Sequence, residues 1–130
     1  MAFEFTVDVE RRIIRIVGRG DAGLRDVLEA VQTGAALCRE HSQFALLSDT
    51  RELEYEPNVP DLLEIAGAMF SRREIISRRL AIIVQPGIQQ QLGSMLAAMS
   101  GYVGMRVDVF NNEGDALFWL NRGQSGDNVR

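Results

Sequence analysis

The chain has 130 residues, of which 46% are hydrophobic and 25% are charged, and its formal net charge is −4. This size and composition predict one folded domain with its own core, and they exclude intrinsic disorder as the general state of the chain. The acidic balance argues against nucleic-acid binding, because phosphate contacts require a basic face.

One cysteine and one histidine, Cys38 and His41, are present. They can form neither an internal disulfide nor an ordinary Cys/His zinc site, so we expect no metal, no cofactor and a reducing, cytoplasmic location. No segment approaches the roughly 18 consecutive apolar residues of a spanning helix. The N-terminus also lacks the features of a signal peptide, and we therefore expect neither export nor membrane insertion.

The first two predicted elements are strands. Residues 3–9, FEFTVDV, alternate apolar and polar side chains, which is typical of a half-buried strand. A polar turn at residues 10–12 separates them from the apolar run IIRIVG at residues 13–18. We predict that the two segments form a hairpin.

A helix and a buried strand follow. After Asp21 the apolar residues recur at spacings of three and four, which predicts one helix face formed by Leu24, Val27, Leu28, Val31, Ala35 and Cys38. The segment FALLS at residues 44–48 is short and continuously apolar, as in a strand that is buried on both faces. We predict that this strand ends at Asp49.

The second half of the chain alternates helices and strands. Asn58 and Pro60 predict a helix start before DLLEIAGAMF. The segments RLAIIVQ at 79–85 and MRVDVF at 105–110 are predicted strands, and a helix begins between them near Ile88. Asn111 or Asn112 can cap the last helix.

These elements predict an α/β domain of residues 1–122 in the order ββαβαβαβα, with a disordered polar tail at residues 123–130. Crossover helices between parallel strands, together with one hairpin, give a single mixed sheet of four to five strands with flanking helices.

Gly18, Gly20 and Gly23 form a G-x-G-x-x-G pattern between a strand and a helix. The pattern has two interpretations. In a dinucleotide site the glycines approach a pyrophosphate and an acid, here Asp49, binds the ribose. Alternatively, they form a strand-to-helix turn with Asp21 as the N-cap. We favour the turn, because Asp49 lies farther along the chain than the roughly 20 residues of the dinucleotide motif.

Asp49, Thr50 and Arg51 follow a central strand, where open α/β sheets usually bind ligands, and Asn58 stands at the next helix start. We predict a ligand or partner site at these four residues. The alternative is a local turn, which Asp and Thr also favour.

The segment SRREIISRR contains Arg72, Arg73 and Arg78, which are candidate contacts for an anion. The alternative is a solvated charged face whose arginines balance the charge of nearby acidic residues.

Residues 62–70 are apolar around most of the predicted helix, since only Glu64 and Gly67 interrupt them. A surface helix needs only one apolar stripe, which packs on the core. We therefore expect something other than the core to cover the second apolar face of this helix. A twin subunit, another protein, or an apolar ligand or lipid beneath a mobile lid could supply this cover. The candidate interface or lid residues are Leu62, Leu63, Ile65, Met69 and Phe70.

The order of these segments resembles the SpoIIAA-like group of bacterial STAS-type domains over about residues 3–121. The resemblance rests on IIRIVGRG, ALLSDTRE, RLAIIVQ and GMRVDVFNNEGDALFWL. It implies a mixed sheet with flanking helices, and a role in binding or regulation. In the anti-sigma-factor antagonists of that superfamily, a strand ends on an acid similar to Asp49 and a phosphorylatable serine begins the next helix. Residues 56–61 contain no hydroxyl and Thr50 lies too early, so we expect no such phosphoswitch.

The sequence therefore predicts a non-catalytic interaction or regulatory module that forms a homodimer, with a regulatory protein as a possible partner. The alternative is a protein that binds a small apolar molecule or lipid, with residues 62–70 as its lid.

Overall fold

The computed structural model describes residues 2–126, with side chains described up to residue 122. Its strands are β1 Phe3–Asp8, β2 Ile13–Asp21, β3 Ala45–Glu54, β4 Arg79–Ile83 and β5 Arg106–Phe110. Its helices are α1 Leu24–Glu40, α2 Val59–Phe70, α3 Arg73–Ile76, α4 Ile88–Ser100 and α5 Glu113–Gly126, with a 3-10 turn at Gly101–Val103. Of the tail predicted at residues 123–130, residues 127–130 lie outside the described residues.

The five strands form one sheet in the order β1-β2-β3-β4-β5. Strands β1 and β2 pair in antiparallel fashion, which confirms the predicted hairpin, and β2 to β5 are parallel. The crossover connections that parallel strands require contain helices. The α/β class and the single mixed sheet are thus confirmed, and the short helix α3 is an element that was not predicted.

The sheet carries a separate hydrophobic core on each face. Helices α1 to α4 cover one face, where Ile14, Leu46 and Leu80 are buried. Helix α5 covers the opposite face, where Ile13 and Leu47 pack in a second cluster with Ala116, Leu120, Ala45, Ala81 and Ile83. Successive strand residues point to opposite faces, so neighbours in the sequence such as Leu46 and Leu47 belong to different cores.

The glycine pattern lies mostly inside a strand. Gly18 and Gly20 belong to β2, and so does Asp21, so the prediction that Asp21 caps the helix was wrong. Gly23 is the N-cap of α1, and its backbone N–H donates to Asp26 Oδ2 over 2.9 Å. A Cβ atom at position 18 would approach Phe3 Cε1 to 2.9 Å, so Gly18 permits close side-chain packing.

Helix α2 begins as the sequence predicts. The Asn58 side chain accepts a hydrogen bond of 2.8 Å from the backbone N–H of Asp61, and Pro60 lies in the first turn. This cap satisfies one of the backbone donors that a helix start leaves open.

Strand β3 does not end at Asp49 as predicted, since it continues to Glu54. Its pairing with β4 stops at the Asp49–Ile83 register pair, whereas β2 continues beside it to the Asp21–Glu54 pair. Pairing with β2 alone is enough to keep the polar segment after Asp49 extended. The local composition of this segment did not indicate a strand.

Two glutamine side chains occupy the edge of β3 that β4 leaves free. Gln89 Nε2 donates to the carbonyl oxygens of Thr50 and Leu53 over 3.0 and 3.3 Å. Gln85 Nε2 donates to the carbonyl oxygen of Arg51 over 2.7 Å. The connection between β4 and α4 and the first turn of α4 thereby satisfy backbone acceptors that a neighbouring strand would otherwise use.

Arg78 stabilises the junction between α1 and β3. Its guanidinium donates to the carbonyl oxygens of His41 and Phe44, both over 2.9 Å, and to that of Cys38 over 2.7 Å. These carbonyls include orphan acceptors at the end of α1, where a positive charge is also favourable.

We predict that Arg78→Met lowers the free energy of unfolding by about 2–4 kcal/mol, because it leaves three carbonyls without a charged donor. Urea unfolding followed by circular dichroism measures this loss. Arg73→Met is the control, since Arg73 is exposed on α3, and its effect should stay within about 0.5 kcal/mol. Equal effects of the two substitutions would contradict the proposed role of Arg78.

Candidate functional site

An apolar cavity of about 200 Å³ lies between the sheet and helices α1, α2 and α4. Its floor includes Ile16, Ser48 and Ile82, which are register neighbours on three adjacent strands. Val31 of α1 and Leu92 of α4 contribute to its walls. We refer to this space as the apolar cavity.

Small residues in the covering helices leave the space open. Ala30 and Gly34 of α1 line the cavity one helical turn apart, and Gly93 of α4 lines it on another side. Gly34 is buried, yet a Cβ atom built at this position meets no atom within 4 Å. Since protein interiors are normally close-packed, the missing side chain at Gly34 contributes directly to the empty volume.

One face of helix α2 covers the cavity. Leu62, Ile65 and Met69 line the cavity and are buried. Phe70 is half-buried against the main core, while Leu63 is 57% exposed. Three of the five predicted interface or lid residues therefore face the cavity, and most of the apolar surface of this helix is covered within the chain itself.

Three polar side chains at the cavity wall donate to protein acceptors. Thr50 Oγ1 donates to the carbonyl oxygen of Ile83 over 2.9 Å, and the Tyr55 hydroxyl donates to Asp61 Oδ2 over 2.8 Å. The Gln89 amide donates to the β3 carbonyls described above. Among the described residues that line the cavity none is charged, so the cavity suits uncharged, apolar matter.

A more polar surface cleft adjoins the apolar cavity. Leu53, Tyr55 and Gln89 line both spaces, so the cleft begins where the polar wall of the cavity ends. The cleft, which we call the polar cleft, is otherwise bordered by Arg51, Gly20, Glu52, Glu54, Glu56, Gln85, Pro86 and Ile88.

The four residues predicted as a ligand site do not form one cluster. Thr50 lines the apolar cavity and Asn58 caps α2. Asp49 pairs in register with Ile83, which faces the α5 core, so Asp49 lies on the sheet face opposite the cavity. Alternation along β3 separates these neighbours.

Asp49 and Arg51 form an ion pair with each other. Arg51 Nη2 lies 2.8 Å from Asp49 Oδ2, and Arg51 Nε donates to Asp49 Oδ1 over 3.0 Å. The hydrogen bonds from the Arg51 side chain are the largest cause that lowers the pKa of Asp49 below its ordinary value. The pair is bidentate and local, and it requires no ligand to satisfy its charges.

The three candidate anion contacts also have different positions. Arg78 binds the backbone carbonyls described above, and Arg73 is exposed. Arg72 precedes α3, and its buried Nε has no hydrogen-bond partner among the described residues. None of the three lines the apolar cavity.

Sequence reasoning missed the part of the site that is made of small or isolated polar residues. Ala30 and Gly34 break an otherwise large apolar stripe on α1, and Ser48 interrupts the apolar run of β3. A small residue on the buried face of a helix is the one signal that could have indicated a void. The facing sheet residues had to be known before that signal could be used.

Within residues 2–126, no group of three or more His, Cys, Asp or Glu side chains is arranged to hold a metal ion. In the same part of the chain, no helix has both the length and the hydropathy needed to cross a membrane.

Burial and the hydrogen bond to Asp61 raise the pKa of Tyr55 to about 12. Since an unfolded tyrosine titrates near 10, this contribution to stability is complete below pH ~10 and is lost as the pH rises towards 12.

The chain has two tyrosines, so in the variant Tyr102→Phe the tyrosinate absorbance comes from Tyr55 alone. We predict that the tyrosinate absorbance of Tyr55 rises with a midpoint near pH 12 under conditions in which circular dichroism shows that the chain is folded. In urea, where the chain is unfolded, the midpoint should lie at about pH 10. A folded-state midpoint near 10 would contradict both the burial of Tyr55 and its contact with Asp61.

The sequence matches no protein-family model, and no curated protein shows significant similarity to it. The resemblance to SpoIIAA-like domains therefore stays a prediction.

Proposed function

We propose that the protein binds a small apolar molecule, or the apolar end of a larger one, in the cavity beneath α2. The observation that carries this proposal is a cavity of about 200 Å³ whose lining is almost wholly hydrocarbon. Its polar wall groups Thr50, Tyr55 and Gln89 are already hydrogen-bonded within the protein. Binding rather than catalysis is therefore the activity that these residues support.

The free-energy cost of such a cavity supports a functional role. Empty apolar volume enclosed in a core costs about 24 cal/mol per Å³. Because the cavity is partly open to the surface, about 5 kcal/mol is the upper limit of the cost of its 200 Å³. Whole domains are stable by only about 5–15 kcal/mol. A ligand that fills the space recovers part of this loss and stabilises the folded chain by linkage.

The volume also limits the ligand. An engineered apolar cavity of about 150 Å³ binds benzene, while drug-sized ligands occupy pockets of about 300–1,000 Å³. The cavity of about 200 Å³ therefore fits a molecule slightly larger than benzene, or one segment of a longer chain. The remainder of such a chain would occupy the polar cleft, which shares Leu53, Tyr55 and Gln89 with the cavity.

The proposed entry lies beside the start of α2. Tyr55 belongs to the short connection between β3 and α2, and its bond to Asp61 ties that connection to the first turn of the helix. Movement of this connection would widen the opening between the cavity and the polar cleft. Residues 62–70 keep the lid role that the sequence suggested, with Leu62, Ile65 and Met69 as the residues that contact the ligand.

On helix α2, the interaction-module hypothesis is supported by a pair of exposed apolar side chains. Val59 and Leu63 are 58% and 57% exposed and lie one turn apart on α2. Two side chains provide much less than the roughly 800 Å² that each partner buries in a standard interface. Self-association through α2 is therefore the second proposal, and ligand binding explains more of the apolar helix.

Filling the cavity tests the ligand proposal directly. We predict that Gly34→Leu raises the free energy of unfolding by about 1–3 kcal/mol, through helix propensity and new burial. The same substitution should abolish binding of benzene, measured by the chemical-shift changes of cavity methyl groups in NMR titrations.

Gly67→Leu is the matched control for Gly34→Leu. Gly67 lies in α2 but is exposed, so the change adds helix propensity without filling the cavity, and benzene binding should persist. Binding by Gly34→Leu that equals the wild type, or no binding by the wild type at benzene saturation, would refute the proposal.

Self-association has its own test, because Leu63 is the exposed residue whose change avoids the core. If α2 forms a dimer interface, Leu63→Asp should convert a dimer into a folded monomer in light scattering after size exclusion, with Glu64→Gln as the exposed control. We expect the wild type to be a monomer at micromolar concentration, since the exposed strip is small. A wild-type dimer that Leu63→Asp dissociates would favour the interaction module instead.

A further inference from the structure

Ser48 occupies the central position on the floor of the apolar cavity. It lies on β3 in register between Ile16 of β2 and Ile82 of β4, and all three side chains face the cavity. Central strands of parallel sheets are normally continuous runs of apolar residues. A hydroxyl at this position is therefore unexpected from packing alone.

The Ser48 hydroxyl differs from the other polar groups at the cavity wall. Thr50, Tyr55 and Gln89 each donate to a protein acceptor. Within residues 2–126, the Ser48 hydroxyl has no hydrogen-bond partner. A hydroxyl that lines an apolar cavity without a protein acceptor is free to donate to a molecule in that cavity, whereas an alanine at the same place could not.

We propose that Ser48 is the specificity-determining residue of the cavity, and that its hydroxyl donates a hydrogen bond to an oxygen atom of an uncharged apolar ligand. This inference rests on the proposed ligand-binding function. The ligand class is a small hydrocarbon skeleton that carries one carbonyl, ether or hydroxyl oxygen. Without a charged side chain among the described lining residues, a carboxylate or ammonium group within the cavity would lose its hydration uncompensated.

A pair of isosteric probes tests this assignment. Cyclohexanone and methylenecyclohexane have the same skeleton, and the carbonyl oxygen of the first is replaced by a methylene group in the second. Both are only slightly larger than benzene, as the cavity volume requires. Their dissociation constants can be measured by NMR titration against the wild type, Ser48→Ala and Ser48→Thr.

We expect Ser48→Ala to weaken the binding of cyclohexanone about threefold to tenfold, which is the range for one neutral hydrogen bond. The affinity for methylenecyclohexane should change less than twofold, because the methylene group accepts no hydrogen bond. Ser48→Thr keeps the hydroxyl and should retain the ratio of the two affinities. Ser42→Ala, at an exposed position before β3, should affect neither probe.

The outcomes separate this inference from the proposed function. If Ser48→Ala changes the affinities for both probes by the same factor, or leaves both unchanged, ligand binding stands and the role of Ser48 is overturned. If neither probe binds the wild type up to its solubility limit, the proposed function fails and the Ser48 assignment fails with it.

Discussion

The alternation of side chains along β3 is the constraint on which the rest of the structure depends. This strand lies in the middle of the sheet, so each residue must face either α5 or the helices α1 to α4. Leu47 is fully buried in the compact α5 core, whereas Leu46 and Ser48 face the apolar cavity. A shift of one residue in register would exchange the two faces and place Leu47 in the cavity.

The two faces of the sheet differ in how completely they are packed. On the α5 face, Ile13, Ile83 and Leu120 are completely buried in a continuous core. On the other face, Gly34 leaves space that reduces packing, and Ser48 presents a hydroxyl to the apolar cavity. Binding sites are frequently less stable than the scaffold that supports them, because groups that await a ligand cannot also be packed for stability.

The edge of the sheet explains how the cavity meets the surface. Because β3 extends beyond β4, its last residues have a strand on one side and the Gln85 and Gln89 amides on the other. A full strand in that place would close the sheet over the polar cleft. Two side chains instead satisfy the backbone and leave space beside Tyr55, where the cavity and the cleft adjoin.

Local patterns in the sequence determined the elements of the fold. Alternation in residues 3–9 indicated the hairpin, and Asn58 with Pro60 indicated the start of α2, because turns and caps depend on neighbouring residues. The extension of β3 past Asp49 could not be predicted, since pairing with β2 keeps a polar segment extended. The apolar character of residues 62–70 was visible from the sequence, whereas the surface that these residues cover was not. Only the tertiary structure decided that the helix covers a cavity, because empty volume depends on how distant residues such as Gly34 and Ser48 face each other across the core.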